Sequence, residues 1–192
     1  MRTFVAIELT QQCRDNLLEA IDTLDSIAGG VKWSDEKKLH LTVKFIGELD
    51  EDVLPDAIEA LQKPAEKIPP FSMDISGISG FPPKGPKGVP NVLFAAVQED
   101  SGTLQNLQSS VEDALAEDLG LEREDRDYIP HVTLGRVKEK GFCPPLPKLV
   151  KQLPDSYFGK VPVSQMALIK SELTRDGPIY TPLHEFTLQG EE

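Results

Sequence analysis

Two hydrophobic periods alternate along the chain, and their order occurs twice. Residues Thr3 to Leu9 form a short apolar run suited to a strand. Beyond it, Leu17, Ile21, Leu24 and Ala28 step by four, three and four, which predicts a helix from Thr10 to Ala28 with a single apolar stripe. Thr10 can cap its start, and Gly29-Gly30 suits its end. Leu39 to Phe45 then alternates strictly at period two and predicts a strand with unlike faces. His40 and Thr42 share one face; Leu39, Leu41, Val43 and Phe45 are expected on the other. Asp50, Glu51 and Asp52 suit the start of a second, short helix, and residues 71–78 read as a further strand.

The order then returns. Val92 to Val97 is a predicted strand; Leu104, Leu107, Val111, Leu115 and Leu119 form a helical stripe that Gly120 stops. His131-Val132-Thr133-Leu134 alternates again, followed by a short helix around Leu146 to Leu153 and a single strand near 161–169. Phe4 lies 36 positions before His40, and Phe94 lies 37 before His131. The two histidines are 91 residues apart, close to half of the 192-residue chain. These spacings imply a duplicated strand-helix-strand unit. We expect one bilobal domain over residues 1–192, with units of about 1–80 and 91–170 and a C-terminal strand of about 179–188. Related lobes that face each other would set one histidine on each wall of a shared cleft. The Pro/Gly-rich stretch from Phe81 to Pro90 joins the halves as a loop, and Lys84 and Lys87 make it a candidate flap over a phosphate chain.

Composition narrows the chemistry. With 39% hydrophobic and 27% charged residues the chain reads as folded and soluble. No apolar run approaches the roughly 20 residues that cross a bilayer, and Glu8 interrupts the N-terminus too early for a secretory signal. Two isolated cysteines, Cys13 and Cys143, form neither a disulfide framework nor a metal-ligand pattern, so a cytoplasmic location is expected. The net charge of −12 has the wrong sign for a protein that coats nucleic acid, though not for one that grips a single terminal phosphate. The acidic runs 48–52 and 122–127 read as solvated surface.

Of three histidines, two sit in one pattern: His, apolar, Thr, apolar. A strand whose apolar face is already spent has no packing reason to carry His and Thr on the other. Imidazole can act as base or acid near neutral pH, so a pair across a cleft suits the opening of a cyclic phosphodiester. One takes a proton from water while the other protonates the departing oxygen. Thr42 and Thr133 could donate to the non-bridging oxygens as charge gathers there. No His/Asp/Glu ligand cluster, glycine-rich phosphate loop or serine-nucleophile elbow is evident, so neither metal nor cofactor is expected.

At these residues the chain resembles a known family. His40-Leu41-Thr42-Val43-Lys44-Phe45-Ile46-Gly47 and Pro130-His131-Val132-Thr133-Leu134-Gly135-Arg136 are similar to the paired motifs of the 2H phosphoesterases. The nearer branch is the RNA 2′,3′-cyclic phosphodiesterases, also called 2′-5′ RNA ligases. The opening Arg2 to Ile7, Ser171-Glu172-Leu173 and Gly177 to Tyr180 extend the likeness over most of the chain. The resemblance implies a bilobal α+β fold with two antiparallel sheets around a central cleft and helices outside. It also implies hydrolysis of a 2′,3′-cyclic phosphate RNA end to a 2′-phosphomonoester. By the same analogy His40 is the proton donor, His131 the acceptor, Arg136 a phosphate ligand and Phe45 a pocket wall. Strand parity opposes the last two, because an offset of five points them away from the histidine face unless a bulge intervenes; for Phe45 an ordinary core position is the expectation from parity.

The expected partner is an RNA with a cyclic phosphate end, whether a tRNA fragment or a small cyclic nucleotide, handled by a monomer. Rival readings are a non-catalytic module that binds nucleotides or RNA ends, and 2′-5′ joining by the reverse reaction. Trp33 and Tyr128 could stack on a base but are more commonly packing residues. His184 is expected at the surface, and Cys13 is expected to be inert.

Overall fold

A computed structural model describes residues 1–82, 88–153, 155–175 and 177–191. Strand β1 (Arg2–Glu8) leads through Thr10, whose hydroxyl accepts from the Cys13 amide, into helix α1 (Gln11–Asp25). A three-residue strand, β2 (Val31–Trp33), was not expected from the pattern. Next come β3 (His40–Glu48), α2 (Leu54–Lys67) and β4 (Phe71–Phe81). The second helix runs for 14 residues, longer than predicted, after a 3-10 turn at Glu51–Val53 absorbs the acidic opening. The downstream half supplies β5 (Val92–Gln98), α3 (Thr103–Leu119, stopped by Gly120 at φ 65°), β6 (His131–Val137) and α4 (Leu146–Val150). It ends in β7 (Tyr157–Val163), β8 (Gln165–Thr174) and β9 (Gly177–Thr187).

The fold is α+β. Its strands run β7-β4-β5-β6-β3-β1-β8-β9, all neighbours antiparallel, with β2 on β6. The two sheets expected are joined into one curled sheet by a single ladder pair, Leu41 with Val132. Outward from that pair the order is alike on both sides: β6-β5-β4-β7 and β3-β1-β8-β9. Half-sheet boundaries and sequence units therefore differ, because β4 pairs with β5 while β8 returns to β1. The single strand predicted near 161–169 is two strands. The chain leaves β4 at Val163 and joins β1 and β9 from Gln165, and the Ser164 carbonyl accepts the Leu188 amide at 2.9 Å.

Central strands β1 and β5 are apolar on both faces because each is paired on both edges and covered. Val5, Ile7, Leu17, Leu41, Leu61, Leu107, Leu115, Val132 and Leu134 belong to one continuous core between sheet and helices. That core backs both histidine strands, so their polar face is free for other work. Among the described residues no helix is long and apolar enough to cross a membrane.

Candidate active site

Leu41 and Val132, both fully buried, pin β3 against β6 from behind. Continuing their antiparallel register by one residue each way sets His40 across from Thr133 and Thr42 across from His131. Two histidines and two threonines thus sit on opposite diagonals of one cleft of about 540 Å³. No Thr42 or Thr133 hydroxyl hydrogen bond is present among the described residues, but both backbones are held. Tyr128 Oη donates to the Thr42 carbonyl at 3.0 Å, and Ser34 Oγ to the Thr133 carbonyl at 2.9 Å. Tyr128, a candidate stacking residue in the sequence, instead ties the second motif to the first, and burial raises its phenol pKa.

Each imidazole lies between two aromatic rings. His40 stacks on Phe4 at 5.0 Å and meets Tyr180 edge-on at 5.3 Å. His131 lies 5.2 Å from Phe94 and 5.1 Å from Phe81. His131 Nδ1 is 2.8 Å from the Ile129 carbonyl, which can only accept. The proton therefore sits on Nδ1, and Nε2 of the neutral ring is left as a base. Burial lowers the His131 pKa, the Ile129 bond opposes that, and Arg136 nearby adds to the lowering. His40 has no such carbonyl; burial first and the His131 charge second pull it down to about 4.

Two bulges decide where Phe45 and Arg136 point. Against β1, strand β3 carries one extra residue at Val43, between Thr42 and Lys44, and another at Ile46. Against β5, strand β6 carries an extra Leu134 between Thr133 and Gly135. Each bulge reverses parity after the histidine, so the odd offset of five returns to the histidine face. Phe45 and Arg136 both line the cleft. The expectation that Phe45 is a core residue is corrected: it is 62% exposed, 6.0 Å from Phe4. Gly135 follows from the second bulge, because a Cβ there would fall 2.8 Å from the Trp33 ring and from Val31. Trp33 is half-buried, packs in this way and donates from Nε1 to Asp25, while its edge reaches the cleft.

Among the described residues the lining also holds Arg2, Lys32, Lys38 and Lys138 beside Arg136: five cations and no carboxylate. None but Arg136 was singled out from the sequence, since no local motif marks them. In a chain of net charge −12 this concentration gives the described lining a local positive sign. Phe45, Thr42, His131 and Arg136 also border an adjoining hollow lined by Phe81, Pro82 and Ile129. The candidate flap residues Lys84 and Lys87 lie outside the described residues. Among the described residues no group of three His, Cys, Asp or Glu side chains is placed to hold a metal. His184 is exposed on β9, 4.6 Å from Phe186 and outside the cleft lining. Cys13 is buried, with its thiol pushed up to about 11.

The architecture is that of solved phosphoesterases. A Thermus thermophilus protein of known crystal structure matches with a TM-score of 0.83 and 31% identity, over 100% of both chains. Escherichia coli LigT shares the fold with a TM-score of 0.73 at 20% identity, over 97% of each chain. A curated RNA 2′,3′-cyclic phosphodiesterase of Methanothermobacter thermautotrophicus is 34% identical over 188 residues, 98% of this chain and 99% of its own. One from Aeropyrum pernix is 36% identical over 165 residues, 84% of this chain and 90% of its own. The family model described as the 2′-5′ RNA ligase superfamily matches residues 13–175, and the chain belongs to that superfamily.

Proposed function

We propose that the chain hydrolyses the 2′,3′-cyclic phosphate at an RNA end to a 2′-phosphomonoester, with His40 and His131 as an acid-base pair and no metal ion. The observation that carries this reading is the diagonal arrangement of two histidines and two threonines about Leu41 and Val132, in a lining whose described residues include five cations and no carboxylate. The activity for which the relatives at 34–36% identity are named points the same way.

In this scheme water attacks phosphorus and gives its proton to His131 Nε2, which the Ile129 carbonyl leaves unprotonated. The bond from phosphorus to the 3′ oxygen breaks, and that oxygen takes a proton from His40. Thr42 and Thr133 donate to the non-bridging oxygens, Arg136 offsets their charge, and Phe45 walls the terminal nucleoside. A divalent cation would find no carboxylate among the described lining residues to hold it. A monomer suffices, since the cleft is built within one chain, and the two buried thiols suit a reducing cytoplasm.

One observation favours the opposite assignment of roles. His131 keeps the higher proton affinity of the pair, since burial and its neighbour's charge hold His40 to about 4. The test uses an oligonucleotide ending in a 2′,3′-cyclic phosphate, in excess chelator, with wild type, His40→Ala and His131→Ala. Both variants should lose nearly all activity while staying folded. A second substrate with sulfur in place of the bridging 3′ oxygen has a leaving group that needs no acid. It should restore His40→Ala and leave His131→Ala inactive; the converse reverses the roles. Binding without cleavage by wild type would make the cleft a recognition site only. Joining of ends with no hydrolysis would favour the reverse reaction.

A further inference from the structure

Lys32 and Arg136 are direct cross-strand partners in the β2–β6 ladder. Like charges set opposite one another on one face repel, and a ladder normally avoids them. Lys138 follows two positions after Arg136, where the Gly30 carbonyl accepts its amide at 2.7 Å, and all three side chains line the cleft. No described carboxylate forms an ion pair with Lys32, Arg136 or Lys138, whereas Lys38 in the same lining pairs with Asp35. Among the described residues no carboxylate lines the cleft beside these three cations.

The cations differ in what they face. Arg136 is felt by His131 and by Tyr180, so its guanidinium reaches the centre of the site; Arg2 and Lys38 are also felt at Tyr180. Lys32 lies across from Arg136 on β2 and Lys138 two residues beyond it, both in the same lining. Lys138 stands seven residues beyond His131, roughly 20 Å along the strand at about 3.3 Å per residue. A mononucleoside cyclic phosphate has one phosphorus, and the proposed reaction holds it between the histidines. An anion further along the same chain can reach these lysines.

We propose that Lys32 and Lys138 form a subsite for internucleotide phosphates next to the reactive end, so that the enzyme selects oligoribonucleotides over mononucleoside cyclic phosphates. The inference rests on the proposed hydrolysis. Exposed lysines at this distance act on binding, by releasing counterions from the phosphates they neutralise.

The experiment compares kcat/KM for a short oligoribonucleotide ending in a 2′,3′-cyclic phosphate with that for a mononucleoside 2′,3′-cyclic phosphate. Wild type, Lys32→Gln, Lys138→Gln and the double variant are measured from low to moderate salt, with Lys32→Arg/Lys138→Arg as charge-keeping control. In the double Gln variant the oligonucleotide-to-mononucleotide ratio should fall about tenfold, through KM rather than kcat, and the Arg control should restore it. The log–log salt slope for the oligonucleotide should flatten by about 1.4, two contacts at about 0.7 each for a single strand. A ratio and slope equal to wild type overturn the subsite. If wild type hydrolyses neither substrate, the proposed hydrolysis fails, and binding of the same oligonucleotide, read by fluorescence anisotropy, decides the subsite alone. Salt-dependent binding weakened by the double Gln variant sustains it, and binding indifferent to those lysines removes it.

Discussion

Titrating kcat/KM separately from kcat tests the paired imidazoles directly, because the first reports the free enzyme and the second its complex with substrate. The drop at His40 from 6.5 to about 4 is a handicap of roughly 3 kcal/mol against its charged form, at about 1.4 kcal/mol per unit. At pH 7 a group with that pKa is protonated in roughly one molecule in a thousand. The form the scheme needs, with His40 charged and His131 neutral, is therefore scarce in neutral free enzyme. It is most abundant between about pH 4 and the lowered value of His131. Above that window kcat/KM should fall about tenfold per pH unit, and below about 4 it should fall again as both rings charge. Because the rings interact, the two limbs belong to the pair rather than to either residue.

In the proposed scheme a bound cyclic phosphate keeps a single negative charge through this range and lies against His40. An opposite charge at contact raises an imidazole by about 1–3 units. The alkaline limb of kcat should then sit about 1–3 units above that of kcat/KM. Initial rates on a cyclic-phosphate oligonucleotide from pH 4 to 9, at constant ionic strength and with product separated by chromatography, give both profiles. A kcat/KM that kept rising through pH 8, or limbs that coincided for the two constants, would refute the reasoning.

The same depressed pKa bears on stability. His40 is neutral when folded and charges more readily when unfolded, so its contribution is fully present above about pH 6.5 and is lost as pH falls towards about 4, by roughly 3 kcal/mol in all. Urea midpoints at pH 7.5 and 4.5 should converge in His40→Gln relative to wild type; an equal spread in both proteins contradicts this. In His131→Ala the His40 pKa, followed by NMR titration, should rise because a charged neighbour is gone; no movement would mean the rings do not sense each other. Gly135→Ala should cost about 1–3 kcal/mol, since its Cβ would fall 2.8 Å from Trp33 and Val31, and unchanged urea stability would contradict the packing. Hydrolysis should persist in excess chelator, and a loss that added divalent metal restores would overturn the metal-free scheme.

What the chain betrays locally and what it hides divide along a physical line. The period-two face of His40 and Thr42, the buried Leu41 and Val132 behind it and the stop at Gly120 are written in neighbouring residues. The break between β7 and β8 is not, because apolar residues lie on both sides of Ser164 and the chain changes partners there without a change of pattern. Strand β2 is three residues long and exists only because β6 accepts it. The cations Lys32 and Arg136 meet through that same pairing, and a net charge of −12 conceals the local sign of the cleft they help line. Bulges are the sharpest case. Parity counts residues along one strand, whereas a bulge is a mismatch between two, so counting alone sends Phe45 and Arg136 to the wrong face. Yet both stand five residues after their histidines. Chemistry that needs arginine and histidine on one face at an odd offset already requires an inserted residue between them, and Leu134 is that residue.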